Sequence, residues 1–331
     1  MKQFMKSNEF YVALTLVVLS VFIGMMNPAF FSAGNMIDLV RSSIVTGIFA
    51  IIAMIVIISG GIDVSFTAIA AFSMFATTKI LTHFDYQGSI WIAFLLAAVI
   101  GLLLGLINAF LISRFKLPTL IVTLGTASMF MGFLLTFVGY KEITDIPKGM
   151  VEFSKIDLLK VTSDTGVVYS LPISILVLVA VAAIVWSILK FTMLGRSIYA
   201  IGGDPVSAKR AGFNIVKIQF FIYSLVGALS GVAGVIHTSL MRNSNPMDFM
   251  GAELLVIAAV ILGGTRITGG HGTVLGTFLG VFLVLIINNS LILLGIPSYW
   301  QRFIVGLLIL VGTGITAYQA TRSTKKLQSI S

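Results

Sequence analysis

A chain of 331 residues that is 58% hydrophobic and only 10% charged falls far below the roughly 25% charge of a soluble domain, so a soluble fold is excluded and the solvent is lipid. The net charge of +9 would suit nucleic acid, but the positive-inside bias of membrane proteins accounts for it more simply, and no nucleic-acid partner is expected. Without cysteine there is no disulfide framework or thiolate metal site; His83, His237 and His271 are scattered without a ligand pattern, so neither metal nor cofactor is expected.

A spanning helix needs about 20 mostly apolar residues. Ten segments qualify, roughly 10–27, 39–59, 62–80, 90–112, 118–139, 170–189, 217–240, 250–264, 273–294 and 298–318. The first follows Lys2 and Lys6. With no A-x-A site after it, it reads as a retained span rather than a signal peptide. Between the second and third lies "SGGIDVSFTA", where Gly60 and Gly61 break the apolar run and Asp63 sits at the break. A carboxylate inside a span costs about 2.5 kcal/mol or more, so it faces a cavity, a partner or an interface. Two readings stay open: Asp63 caps the third span, or a broken helix sets Asp63, Ser65 and Phe66 beside a substrate path.

The fourth span carries Asn108 and the fifth opens at "KLPTL" with Thr119. Asn108, and Asn288 in the ninth, are amides in apolar helices that serve either helix-to-helix hydrogen bonding or a pore lining. Between the fifth and sixth spans runs a long segment, Tyr140–Tyr169, with lysines and acids mixed. Between the sixth and seventh lies a polar insert, "GRSIYAIGGDPVSAKRAGFNIVKIQ", at residues 195–219. Its "DPVSAKRAG" predicts a short helix with Asp204 as N-cap, Pro205 at the first helical position and Gly212 ending it. The eighth span is short, carries Glu253 near its start, and reads as tilted, broken or re-entrant.

With the N-terminus inside, most of the 21 basic residues, among them Arg114, Lys116, Lys209, Arg210 and Arg266, fall on inner segments. Both termini and the 195–219 insert are then cytoplasmic, and 140–169 is outside. Asn108 precedes Pro118 much as Asn288 precedes Pro297, which hints at two five-span halves related as an inverted repeat. The double-glycine breaks "SGGID" and "LGGTRITGGHG" also look alike, yet this topology puts both on one side, which an inverted repeat forbids. No phosphate loop or G-x-S-x-G elbow occurs. Asp63 and Glu253 alone are too few for a proton relay, which weighs against an ion-coupled carrier or an intramembrane enzyme.

The stretches "GRSIYAIGGDPVSAKRAGFNIVKI", "SGGIDVSFTAIAAF" and "GAELLVIAAVILGGTRITGGHGTVLGTFLGV", in this order, resemble permease subunits of bacterial ABC importers of the ribose, galactose, xylose and arabinose type. The likeness covers roughly residues 40–320. It implies an all-α integral membrane protein of about ten helices, some broken at glycines, forming one permease domain over 1–331 in the bacterial inner membrane. It also implies a second permease copy or a paralogous permease, separate ABC ATPase subunits, a periplasmic substrate-binding protein and a small sugar-like ligand. The chain itself would be no enzyme. The 195–217 segment resembles the family's coupling helix, so Gly202, Gly203, Asp204, Ala208, Ala211 and Gly212 are expected to couple to the ATPase, with Ala208 facing its groove and Gly203 in a conformation closed to β-branched residues. Asp63, Ser65, Phe66, Asn108, Thr119 and Asn288 are the candidate pathway residues. The family's first break often continues with a small Val-Gly pair where this chain has Phe66 and Thr67. Relatives carry furanone signals or nucleosides, and those cargoes, like an ion-coupled carrier, are the alternatives.

Overall fold

The computed structural model describes residues 8–162 and 166–293 together with 295, 297, 300, 303, 306 and 307. Helix α1, Asn8–Met26, leads through a 3-10 turn into α2, Ala33–Ile58, which starts where the Ser32 hydroxyl accepts from Asn35 N at 3.3 Å. Every residue of α2 from Gly47 to Ile58 is buried. A helix apolar on all sides belongs at the centre of a bundle, and α2 lies there, against α10, α12, α11 and α7. Helices α3, Phe66–His83, α4, Ile90–Phe115, and α5, Thr119–Phe133, follow, the last continuing as one π turn, Leu134–Val138.

The 140–169 segment is not a bare loop. It holds a two-turn helix, α6, Lys148–Lys155, and the first strand of an antiparallel hairpin, β1, Asp157–Thr162, which pairs with β2, Val168–Pro172. Met150 is fully buried and its neighbour Gly149 seats α6 against the backbone of Gly88. Helix α7, Ile175–Phe191, turns by 76° into α8, Met193–Gly203. Then come α9, Pro205–Arg210, α10, Ile215–Met241, α11, Ala252–Leu262, and α12, Val274–Leu293.

The closest helix pair is α4 with α10. A Cβ on Gly101 would lie 2.1 Å from Gly227 O, one on Gly227 2.1 Å from Gly101 O, and one on Gly231 2.1 Å from Ala97 O. The two backbones therefore touch along two turns, which only small residues permit.

Among the described residues six helices are long and apolar enough to cross a bilayer, or seven if the bent α7–α8 pair counts as one. Three expected spans change. The third begins at Phe66, not 62, because 61–65 lies outside any helix. The sixth begins at Ile175, because 168–172 is strand. The eighth, α11, has 11 residues, about 16 Å of helix, roughly half the hydrocarbon thickness. The tenth, 298–318, falls almost wholly outside the described residues.

Candidate functional site

The first break brings four of the sequence candidates together. Past Ile58 the chain turns at Gly60, whose φ of +85° suits glycine, and 61–65 then runs without helix or strand into the bundle. Its backbone finds partners on α5: Ile62 N donates to Thr119 Oγ1 at 3.0 Å and Val64 N to Thr123 Oγ1 at 3.3 Å. Asp63 Oδ1 accepts from Ser65 N at 2.7 Å and from Ser65 Oγ at 2.6 Å, and Asn108 Nδ2 on α4 donates to the same Ser65 Oγ at 2.8 Å. Asp63, Ser65 and Asn108 are buried. The Asp63 carboxylate thus orders the chain just ahead of α3, while Ser65, at the N-cap position, makes no capping bond of its own. Asp63 Oδ2 and Asn108 Oδ1 make no protein hydrogen bond among the described residues, so the junction offers two acceptors to a hydroxyl or amide.

Sequence reasoning placed Glu253 only as a break signal. It stands in the first turn of α11, and its Oε2 accepts from Thr67 Oγ1 at 3.2 Å. The N-termini of α3 and the short α11 therefore meet, where helix dipoles favour negative or electron-rich groups. The meeting point is deep. Phe49 touches Phe66 at 5.3 Å and Phe249 at 5.1 Å between ring centroids, and Phe49 lies nine residues before the end of α2, about 14 Å along it. Phe66, expected beside a substrate path, is fully buried in this aromatic contact.

Asn288 is not part of the junction: it is half-buried on α12, a helix that packs on α2, α11 and α1. Its neighbour Asn289 donates to Asn35 Oδ1 at 2.8 Å and ties α12 to α2. No spacing rule distinguishes those two amides in the sequence.

At the end of the bundle where α2 stops, both glycine breaks and α8 meet. Gly270 N donates to Ile58 O at 2.8 Å. A Cβ on Gly202 would fall 1.7 Å from Ile58 O and 2.6 Å from Gly270 N, and one on Gly269 would fall 2.9 Å from both Gly202 Cα and Gly60 Cα. The two double-glycine breaks are therefore side by side rather than at opposite ends, and their likeness is not that of inverted-repeat mates. Gly203 has open space around it and no positive φ, so the expected backbone constraint belongs to Gly202.

The short helix forms as the sequence predicts. Asp204 accepts from Val206 N and Ser207 N, each at 3.1 Å, and Pro205 opens the helix. The Ser207 hydroxyl, and then those two N–H groups, hold the Asp204 carboxyl below its ordinary range. At the other end Gly212, φ +90°, and Phe213 donate back to Lys209 O and Ala208 O, the paired bonds of a left-handed helix stop. Ala208 is 3% exposed and belongs to the core, which corrects its expected outward face. Val206, 59% exposed, is the apolar side chain that α9 presents outward, flanked by Lys209 and Arg210.

Residues 35–312 match the family model described as branched-chain amino acid transport system / permease component. The chain is 33% identical over 309 residues to the ribose import permease protein RbsC of Haemophilus influenzae, covering 93% of each. It is 34% identical over 301 residues to RbsC of Bacillus subtilis, covering 90% of this chain and 89% of that one. It is 31% identical over 310 residues to the autoinducer 2 import system permease protein LsrC of Klebsiella pneumoniae, covering 94% and 86%. No solved structure matches. Buried polar breaks, six or seven helices among the described residues that are long and apolar enough to cross a bilayer, and matches along nearly the whole length agree: the chain is a multi-pass membrane protein and belongs to the branched-chain amino acid transport system / permease component family.

Proposed function

We propose that the chain is the membrane-spanning subunit of an ATP-driven importer for a small neutral polar ligand of the sugar class. The observation that carries the ATP-coupled reading is the α8–α9 unit. A short helix is capped at both ends, presents Val206 between basic residues, and is fixed through Gly202 to both glycine breaks. A push on α9 from a cytoplasmic ATPase would reach the junction at Asp63, Ser65 and Asn108 through backbone contacts. In this reading the protein lies in the bacterial inner membrane with both termini cytoplasmic. It pairs with a second copy or a paralogous permease, and it receives ligand from a periplasmic binding protein on the side of α6 and the hairpin. The relatives named for ribose import support a sugar; the one named for autoinducer 2 supports a furanone-type ligand as a second reading.

The ligand path uses residues that bind and orient rather than react. Asn108 and Ser65 supply amide and hydroxyl groups, and Asp63 holds the α3 start in place. The test is uptake of labelled ribose by proteoliposomes holding the chain, its ATPase and its binding protein. ATP-dependent uptake is expected with no ion gradient applied. Uptake driven by a sodium or proton gradient without ATP refutes the reading.

A further inference from the structure

The aromatic contact has a second side. Between α2, α10, α11 and α12 opens a cleft of about 520 Å³, on the face of α2 that carries Asp38, Arg41, Ser42 and Thr46. These residues recur at the three- and four-residue spacing of one helix face. Thr46 stands 13 residues into α2, about 20 Å along it. Asp38 and Arg41 are exposed, and neither pairs with another charged side chain among the described residues. Hydrocarbon does not accept such a stripe, so it borders water or a polar guest. The opposite wall carries His237, 2.9 Å from Asp248, with its ring 4.6 Å from that of Phe249. At the bottom Phe49 touches Phe249, and Phe49 also touches Phe66, which follows Ser65 in the chain. Three phenylalanines in contact thus run from the cleft lining to the residue that follows Ser65.

Phe249 sits on the strap Arg242–Gly251, whose two ends take positive φ. Ser244 exchanges backbone hydrogen bonds with Ile143 at 2.9 and 3.0 Å, Asn243 bonds Glu142, and Arg242 Nε donates to Ser154 Oγ at 3.1 Å. The strap therefore joins the 140–155 segment to the floor of the cleft.

We propose that this cleft is the first chamber for the ligand, that it takes a neutral polyhydroxylated ring, and that Phe49, Phe66 and Phe249 form the gate between it and the Asn108 junction. The volume lies within the usual range for small-ligand sites, about 300–1,000 Å³. Asp38, Arg41, Ser42 and Thr46 set donors and acceptors along one wall, His237 with its partner Asp248 stands opposite, and the phenyl rings of Phe49 and Phe249 suit the C–H face of a sugar ring. The ligand class rests on the proposed function; the gate does not.

The chain has no cysteine, so single cysteines report cleanly. In the full-length protein in membranes, a water-soluble maleimide should label Thr46→Cys readily and Ser65→Cys slowly. Adding Phe249→Ala or the milder Phe249→Leu should speed Ser65→Cys labelling by about tenfold, as expected if the open fraction grows by that factor. Gel filtration checks that both variants stay folded. An unreactive Thr46→Cys overturns the chamber, and an unchanged Ser65→Cys rate in folded Phe249→Leu protein overturns the gate. D-ribose at about ten times its dissociation constant should slow Thr46→Cys labelling about tenfold, and L-leucine should not. Protection by leucine, or none by ribose up to solubility, overturns the ligand class. Failure of ATP-dependent ribose uptake by the parent protein refutes the importer reading alone, because the labelling result at Ser65 stands without it.

Discussion

Two adjacent glycines should respond oppositely to the same methyl group. A Cβ on Gly202 would sit 1.7 Å from Ile58 O and 2.6 Å from Gly270 N, and those two atoms are hydrogen-bonded to each other at 2.8 Å. A carbon needs roughly 3.3 Å from a carbonyl oxygen, so Gly202→Ala forces α8 away from the break by about 1.5 Å. The displaced contact leaves a buried N–H and C=O without their bond, costing about 1–3 kcal/mol, and the overpacking adds about 1–3 kcal/mol. Gly203→Ala meets nothing within 4 Å and removes backbone entropy from the unfolded chain, so it should change stability by less than about 1 kcal/mol. Thermal unfolding of the detergent-solubilised chain gives the first readout, and ligand-stimulated ATP hydrolysis by the reconstituted transporter the second. Gly202→Ala should lose both, and Gly203→Ala neither. Equal behaviour of the two variants refutes the backbone contact as the link between α9 and the breaks.

Asp63→Leu strips the acceptor from the buried Ser65 N–H and hydroxyl and should destabilise the protein by about 1–3 kcal/mol; Asp63→Asn keeps an oxygen there, and its loss in thermal melts should be clearly smaller. The Asp204 cap should respond to acid in a fixed direction. Its carboxyl is held below the ordinary range, so its stabilisation is complete above the unfolded-state value and is lost only as pH falls through the lower folded-state one. Hydrogen exchange at Val206 and Ser207 amides should lose protection in that acid window in the parent but not in Asp204→Asn. On the hairpin, Leu158, Leu159 and Val168 are more than half exposed. Leu159→Glu should leave stability within about 0.5 kcal/mol yet reduce binding-protein-dependent uptake while basal ATP hydrolysis continues; unchanged uptake counts against the hairpin as the receiving surface.

Local chemistry made part of this legible in advance. Asp204, Pro205 and Gly212 act within a few residues of one another, so a capped two-turn helix follows from their order alone. Long apolar runs revealed most crossing helices for the same reason. The junction was legible only as types: Asp63 beside a glycine pair announces a break, but the bonds of Ser65 to Asn108, of Ile62 to Thr119, and of Thr67 to Glu253 186 residues away depend on how helices assemble. A six-residue helix has no periodicity to show which face Ala208 takes, so its burial was invisible. The charged and hydroxyl stripe of α2 is diluted by the many buried apolar residues of the same helix, and a window that averages hydropathy erases it. Asn288 and Asn289 are neighbours that point apart on one helix, and only the fold shows that Asn289 ties α12 to α2.

The backbone contact of α4 with α10 limits how the molecule can move. Helices that meet through side chains can slide by exchanging rotamers. Here carbonyl oxygens of each helix occupy the space where the other would carry a Cβ, at Gly101, Gly227 and Gly231, so the pair has no slack to shear. It forms a keel. Any motion that admits a ligand on one face and releases it on the other must swing lighter parts about that keel, and the parts with joints are α3, α11 and α8, each bounded by a glycine turn or a sharp bend. Transport would then be the rocking of these jointed helices against a stationary spine, with the stroke set by the glycine turns and the bend rather than by the long helices.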